Sequence, residues 1–191
     1  MVERRLQRAR NGEVPVATEQ VQGWMIEPLA RPTRQVWVWG AGHVGRALVG
    51  VLAPLPGVAL TWVDVDAARF PGAVPPGVAV RVAADPADLV AEAPRDAEHL
   101  IVTFSHALDL ELCHRLLGHG FARCGLIGSE TKCARFRSRL AGLGHSLGAI
   151  ARIDCPIGEP ALGKHPQAIA IGVAAAFLQQ KTVPRRQEAA L

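Results

Sequence analysis

From Gln35 onward, short apolar runs alternate with stretches in which apolar residues recur every three or four positions. The runs are Val36–Trp39, Val58–Val63, Val78–Val82, His99–Thr103 and Ala122–Ile127. Between them the spacing predicts helices over 43–53, stopped by Pro54 and Pro56, over Pro86–Ala91 behind an Asp85 cap, over 107–118, and over 130–141 behind Ser129. After the glycine-rich segment Gly142–Gly148 and a polar stretch, a last helix is expected from Pro166, a tolerated first-turn position, to Gln179. Its centre is apolar nearly all round, which predicts burial or a subunit contact. Strands alternating with helices predict an α/β fold, a doubly wound parallel sheet covered on both faces. Right-handed crossovers favour strand order 3-2-1-4-5, counting from Val36. Residues 1–33 do not share this pattern: Met1–Arg10 reads as a short helix, Asn11-Gly12 as a turn, and Val14–Ala17 and Gln20–Ile26 as short strands before Pro28 and Pro32.

Composition narrows the class. The chain has 191 residues, 49% hydrophobic and 20% charged, enough for one packed domain with a short appendage and too little for two full ones. The division expected is a lead-in at 1–33, the sheet domain at 34–182 and a basic tail at 183–191. The net charge of +4 is concentrated at the ends, in Arg4, Arg5, Arg8 and Arg10 and in Lys181, Arg185 and Arg186, without the aromatic interleaving of a nucleic-acid surface. No apolar run follows the N-terminal arginines and none reaches membrane-spanning length, so a cytoplasmic protein is expected. Cys113, Cys124, Cys133 and Cys155 form no C-x-x-C pair and no zinc spacing, and are read as reduced thiols.

The first apolar run breaks into Gly40-Ala41-Gly42-His43-Val44-Gly45, a G-x-G-x-x-G between a strand and a helix. Gly40 permits the sharp turn, Gly42 lets backbone approach a phosphate, and Gly45 lets the helix pack on the strand. A pyrophosphate would meet the unpaired amides and positive dipole at the helix start. The second run ends in Asp64, where a ribose-binding carboxylate is expected. Together these define a Rossmann-like domain.

Other candidates have two readings each. Ser105 and His106 follow the fourth strand, and either bind a ligand and move a proton or form a helix cap with a solvated imidazole. Gly128, Ser129 and Lys132 follow the fifth strand, as a second anion site or as an ordinary serine cap with a surface lysine. Cys155, in Cys155-Pro156-Ile157-Gly158, is a reactive thiol or a small packed hydrophobe. Lys164 adds a cation to the rim or is solvated. Cys113 lies on an apolar helical face with Leu112 and Leu116, and Cys133 shares one with Phe136 and Leu140, which places both in packing rather than at a metal.

These segments in series, with Ser105-His106-Ala107-Leu108-Asp109-Leu110, Leu126-Ile127-Gly128-Ser129, Arg135-Phe136, Glu27-Pro28-Leu29 and the final Ala-rich helix, resemble the C-terminal Rossmann domain of xanthine dehydrogenase accessory proteins of the XdhC/CoxI type. The resemblance covers about residues 24–180. It implies a maturation factor that binds molybdenum cofactor (molybdopterin), supports its sulfuration and delivers it to apo-xanthine dehydrogenase. It also implies a cysteine desulfurase as a partner and a phosphate-bearing pterin on the strand rim; a second copy of the chain is expected as a partner through exposed apolar helix surface. Members carry a further N-terminal domain where this chain has a short lead-in, so a minimal or truncated member is expected. Relatives also have Thr-His-x-His where this chain reads Thr103-Phe104-Ser105-His106.

Two other classes fit the glycine turn. One is a small NAD-dependent oxidoreductase, with NAD favoured over NADP because no arginine directly follows Asp64. The absence of any tyrosine excludes a Tyr-x-x-x-Lys catalytic pair from it. The other is a regulatory module that binds nucleotide without chemistry.

Overall fold

A computed structural model describes residues 19–26 and 34–179, and packing divides the chain into two units, Met1–Arg31 and Pro32–Leu191. In the first, β1 (Glu19–Val21) pairs antiparallel with β2 (Trp24–Ile26). Gln22 and Gly23 between them have φ of 51° and 81°, and two such residues in succession turn a hairpin with the twist its strands need. The single strand expected over Gln20–Ile26 is therefore corrected to a hairpin folded at Gly23. The helix expected over Met1–Arg10, the strand over Val14–Ala17 and the basic tail lie outside the described residues.

The second unit runs β3 (Arg34–Trp39), α1 (His43–Leu52), β4 (Val58–Asp64), a 3-10 turn (Ala67–Arg69), β5 (Ala79–Val82), a 3-10 helix (Pro86–Glu92) and β6 (Glu98–Ile101). It continues with α2 (His106–His119), β7 (Arg123–Leu126), α3 (Glu130–Gly142), α4 (Leu147–Ile150), β8 (Ile153–Asp154), a 3-10 turn (Pro160–Leu162) and α5 (Pro166–Gln179). All six strands of its sheet are parallel, in the order β5-β4-β3-β6-β7-β8. The first five strands take the expected 3-2-1-4-5 order. β8, two residues long, extends the sheet where only a polar stretch was expected, because two residues carry no readable periodicity. Pro86–Glu92 winds as a 3-10 rather than an α-helix, with the Ala93 amide returning to the Val90 carbonyl.

Alternation along β3 sorts the core. Trp37 and Trp39 point to one face, with Ile101, Leu126 and the inner sides of α2 and α3; Val36 and Val38 point to the other, with α1, Trp62 and α5. Helix α5 buries Ala170, Val173, Ala174 and Phe177 but leaves Ile171 and Leu178 exposed, so its all-round apolar surface is half covered. Arg34 ties the start of β3 to its neighbours. Its guanidinium donates to both Glu98 carboxylate oxygens, at 2.5 and 2.7 Å, and to the Phe177 carbonyl at 2.7 Å.

Candidate functional site

The strand order reverses between β4 and β6 on either side of β3, and the loops leaving the C-terminal ends of these strands meet there. Gly40 carries φ of 117°, and a Cβ on it would lie 2.6 Å from the Val102 carbonyl oxygen at the end of β6. A Cβ on Gly45 would overlap the Gly40 carbonyl oxygen, so the start of α1 packs directly on the turn. The Trp62 indole donates to that same oxygen at 3.0 Å. Gly42 differs from both: a Cβ there would meet nothing within 4 Å. It is the N-cap of α1, no side chain caps it, and the first turn holds no acidic residue. The start of α1 thus presents backbone donors and a positive dipole end toward open space. His43 is exposed and Val44 half-buried beside it.

Asp64 ends β4 next to this turn and is 3% exposed. Its carboxylate accepts from the Ala41 amide at 2.5 Å and from the Val65 amide at 2.7 Å. The chain then returns through Ala67–Arg69, where the Asp66 side chain accepts from the Ala68 amide, and this return brings the Arg69 guanidinium onto Asp64. Arg69 Nε lies 2.8 Å from Asp64 Oδ1, yet its N–H is not aimed along a hydrogen bond, so charge rather than directed bonding holds the pair. The same guanidinium lies 4.1 Å from the centroid of the Phe104 ring, which leaves the end of β6. Arg46 completes the frame by donating to the Ala41 carbonyl at 3.0 Å and to the Arg69 carbonyl at 2.6 Å. Arg46, Arg69 and Phe104 were not singled out from the sequence. Arg69 stands five residues past Asp64, a distance at which no motif marks it.

Across the switch point, Ser105 is the N-cap of α2, accepting from the Leu108 amide at 3.3 Å, and His106 is exposed at the helix start. Ser129 is the N-cap of α3, accepting from the Lys132 amide at 3.2 Å. Lys132 is no surface lysine. Its ammonium donates to Asp109 at 2.6 Å and to the Ile127 carbonyl at 2.7 Å, packed so that a Cβ on Gly128 would touch its side chain. Asp109, 0% exposed, also accepts from the Thr103 hydroxyl at 2.7 Å. This buried carboxylate, one turn into α2, was missed because its partner stands 23 positions away. Lys164 is exposed before α5.

The cysteines require a correction. Cys133 and Cys155 form a disulfide, with Cα atoms 5.7 Å apart, a spacing within disulfide range that a separation of 22 residues does not reveal in sequence. Cys155 is therefore not a free thiol, and the expectation of four reduced cysteines fails. Cys113 and Cys124 are free and buried; a hydrogen bond between the two that favours the protonated form, together with burial, pushes the Cys124 thiol up. Cys155, unlike the glycine-turn residues, lines an open hollow of about 450 Å³ beside β6–β8, walled by Leu100, Ile157 and Phe177 with Glu98 and Arg123.

Comparison with known proteins agrees with the geometry. The model of the XdhC Rossmann domain matches residues 36–177. The chain belongs to this family. The uncharacterized protein YqeB of Escherichia coli (strain K12) is 29% identical over 143 residues, which is 74% of this chain and 26% of YqeB. The crystal structure of a xanthine dehydrogenase from Bacillus halodurans superimposes with a TM-score of 0.64 at 22% identity, covering 76% of this chain and 43% of that one. The XdhC-family chain thus spans less than half the length of either protein, and the second likeness speaks to fold alone. No described helix is long and apolar enough to cross a membrane.

Proposed function

We propose that this XdhC-family chain is a maturation factor for xanthine dehydrogenase that binds molybdenum cofactor, supports its sulfuration and hands it to the apo-enzyme in the cytoplasm. The observation that carries this reading is the uncapped start of α1, facing open space at Gly42 with no acidic residue in its first turn. Such an end suits the phosphate of a pterin cofactor: the amides of Gly42, His43, Val44 and Gly45 would receive the phosphate oxygens. The molybdenum chemistry belongs to the cofactor once it is in its enzyme; residues of this chain bind and orient it. Ser105, His106, Gly128 and Ser129 border the same rim, whereas Lys132 acts through the Asp109 pair that fixes the β6 and β7 loops. Apo-xanthine dehydrogenase and a cysteine desulfurase are the partners of this reading. A second copy is the third, through the exposed Ile171 and Leu178 of α5.

Purified protein incubated separately with molybdenum cofactor and with NAD, then desalted, distinguishes this reading from a nicotinamide-dependent enzyme by the ligand retained. Retention of the cofactor, with activation of apo-xanthine dehydrogenase by the loaded protein, is the expected result. Retention of NAD alone contradicts it.

A further inference from the structure

The glycine turn and Asp64 stand where a dinucleotide enzyme holds its pyrophosphate and adenosine ribose, but Asp64 is already engaged on three sides. Two backbone amides bond its oxygens, and the Arg69 guanidinium covers what remains, leaving it 3% exposed. Arg69 is in turn restrained from two directions, by the Phe104 ring beyond the end of β6 and by Arg46 on its carbonyl. Because β4 and β6 flank β3, the Arg69–Phe104 contact arches over the end of the strand that carries the glycine turn.

We infer that Arg69 is the specificity-determining residue of this site: it closes Asp64 to a ribose diol, so that NAD and other ligands with a free ribose at that position are excluded. A ribose hydroxyl must donate to the carboxylate, and it has no approach while the guanidinium lies over Oδ1. Displacing Arg69 would leave a buried carboxylate exchanging a full charge for a neutral partner. The pair lacks an aligned N–H bond, so its removal by mutation leaves the two amide bonds to Asp64 intact. The inference rests on the reading of the glycine turn as a ligand site, and it concerns which ligands are refused there.

Calorimetric titration with NAD, NADP and ADP-ribose tests it on the wild type, Arg69→Ala, Phe104→Ala and the double variant Asp64→Asn/Arg69→Ala, with circular dichroism to confirm folding of each. Arg69→Ala should bind NAD and ADP-ribose about tenfold or more tighter than the wild type, the ratio expected when one hydrogen bond to a charged acceptor is gained. Phe104→Ala should gain less, and the double variant should lose the gain. Wild-type binding of NAD equal to or tighter than that of Arg69→Ala overturns the inference. So does tight wild-type binding of NADP that Arg69→Ala abolishes, since Arg69 would then be a ligand for a 2′-phosphate. Failure of the protein to retain molybdenum cofactor, with the NAD gain intact, would sink the proposed function and leave this inference standing.

Discussion

Two buried carboxylates flank the end of β3, each facing a cation, and they behave as opposites. Asp109 is 0% exposed and Lys132 11%; the ammonium makes two short bonds, and Thr103 satisfies another carboxylate oxygen. Asp64 is almost as buried, but Arg69 is 32% exposed and its N–H is not aligned on the carboxylate. The Asp109 side is a closed, fully bonded knot that fixes the loops after β6 and β7. The Asp64 side is a partly open contact on a short turn, next to a helix start that no side chain caps. A residue type alone does not reveal this difference. Lysine beside a serine cap looks available for an anion and is not, while an arginine without a motif stands over the buried Asp64.

The largest effect expected follows from the closed side. Lys132→Met leaves Asp109 buried without its cation and should lower stability by about 3–5 kcal/mol, read from the urea midpoint, whereas a loss below about 1 kcal/mol would erase the contrast between the two pairs. The disulfide belongs to the same side, since Cys133 follows Lys132 on α3 and anchors that helix to the loop after β8. Cys133→Ala should cost about 3 kcal/mol in oxidised protein, from the loop entropy of a 22-residue separation, and nothing once dithiothreitol has reduced both proteins.

His99, on β6 between the two sides, provides the third test. It stacks on Trp39, whose indole donates to His99 Nδ1 at 3.2 Å, and burial, with His119 nearby, holds its imidazole at a pKa of about 3. The unfolded chain takes up this proton near pH 6.5 and the folded chain does not, so stability is complete above that value. It should fall by about 1.4 kcal/mol per pH unit from there toward pH 3. His99→Gln keeps an acceptor for Trp39 and should flatten this slope in urea titrations between pH 6.5 and 4; an unchanged slope would mean that another group carries it. The smallest effect belongs to the open side, where water can reach Asp64 once the partly exposed guanidinium is gone: Arg69→Met should cost about 1–2 kcal/mol, less than the loss at Lys132.

The sheet was legible in the sequence because β3 and β4 are rich in valine and tryptophan and the apolar runs are punctuated by glycine and proline, so that β3, β4 and the glycine turn declare themselves locally. Ser105 and Ser129 were readable as caps for the same reason. What stayed hidden depends on meetings between distant segments. Arg69 reaches Asp64 through a 3-10 turn, Lys132 reaches Asp109 from another helix, and Cys133 on α3 meets Cys155 on the loop after β8. β8 itself is too short to show a period, and Gln20–Ile26 read as one strand because Gln22 carries no sign that its backbone adopts positive φ.

Whether the start of α1 receives a phosphate-bearing ligand can be read from backbone amide shifts as molybdenum cofactor is added anaerobically to isotopically labelled protein. Saturable shifts are expected at Gly42, His43, Val44 and Gly45, with Asp109 and Lys132 unmoved. Saturable binding that leaves those four amides in place would contradict this expectation.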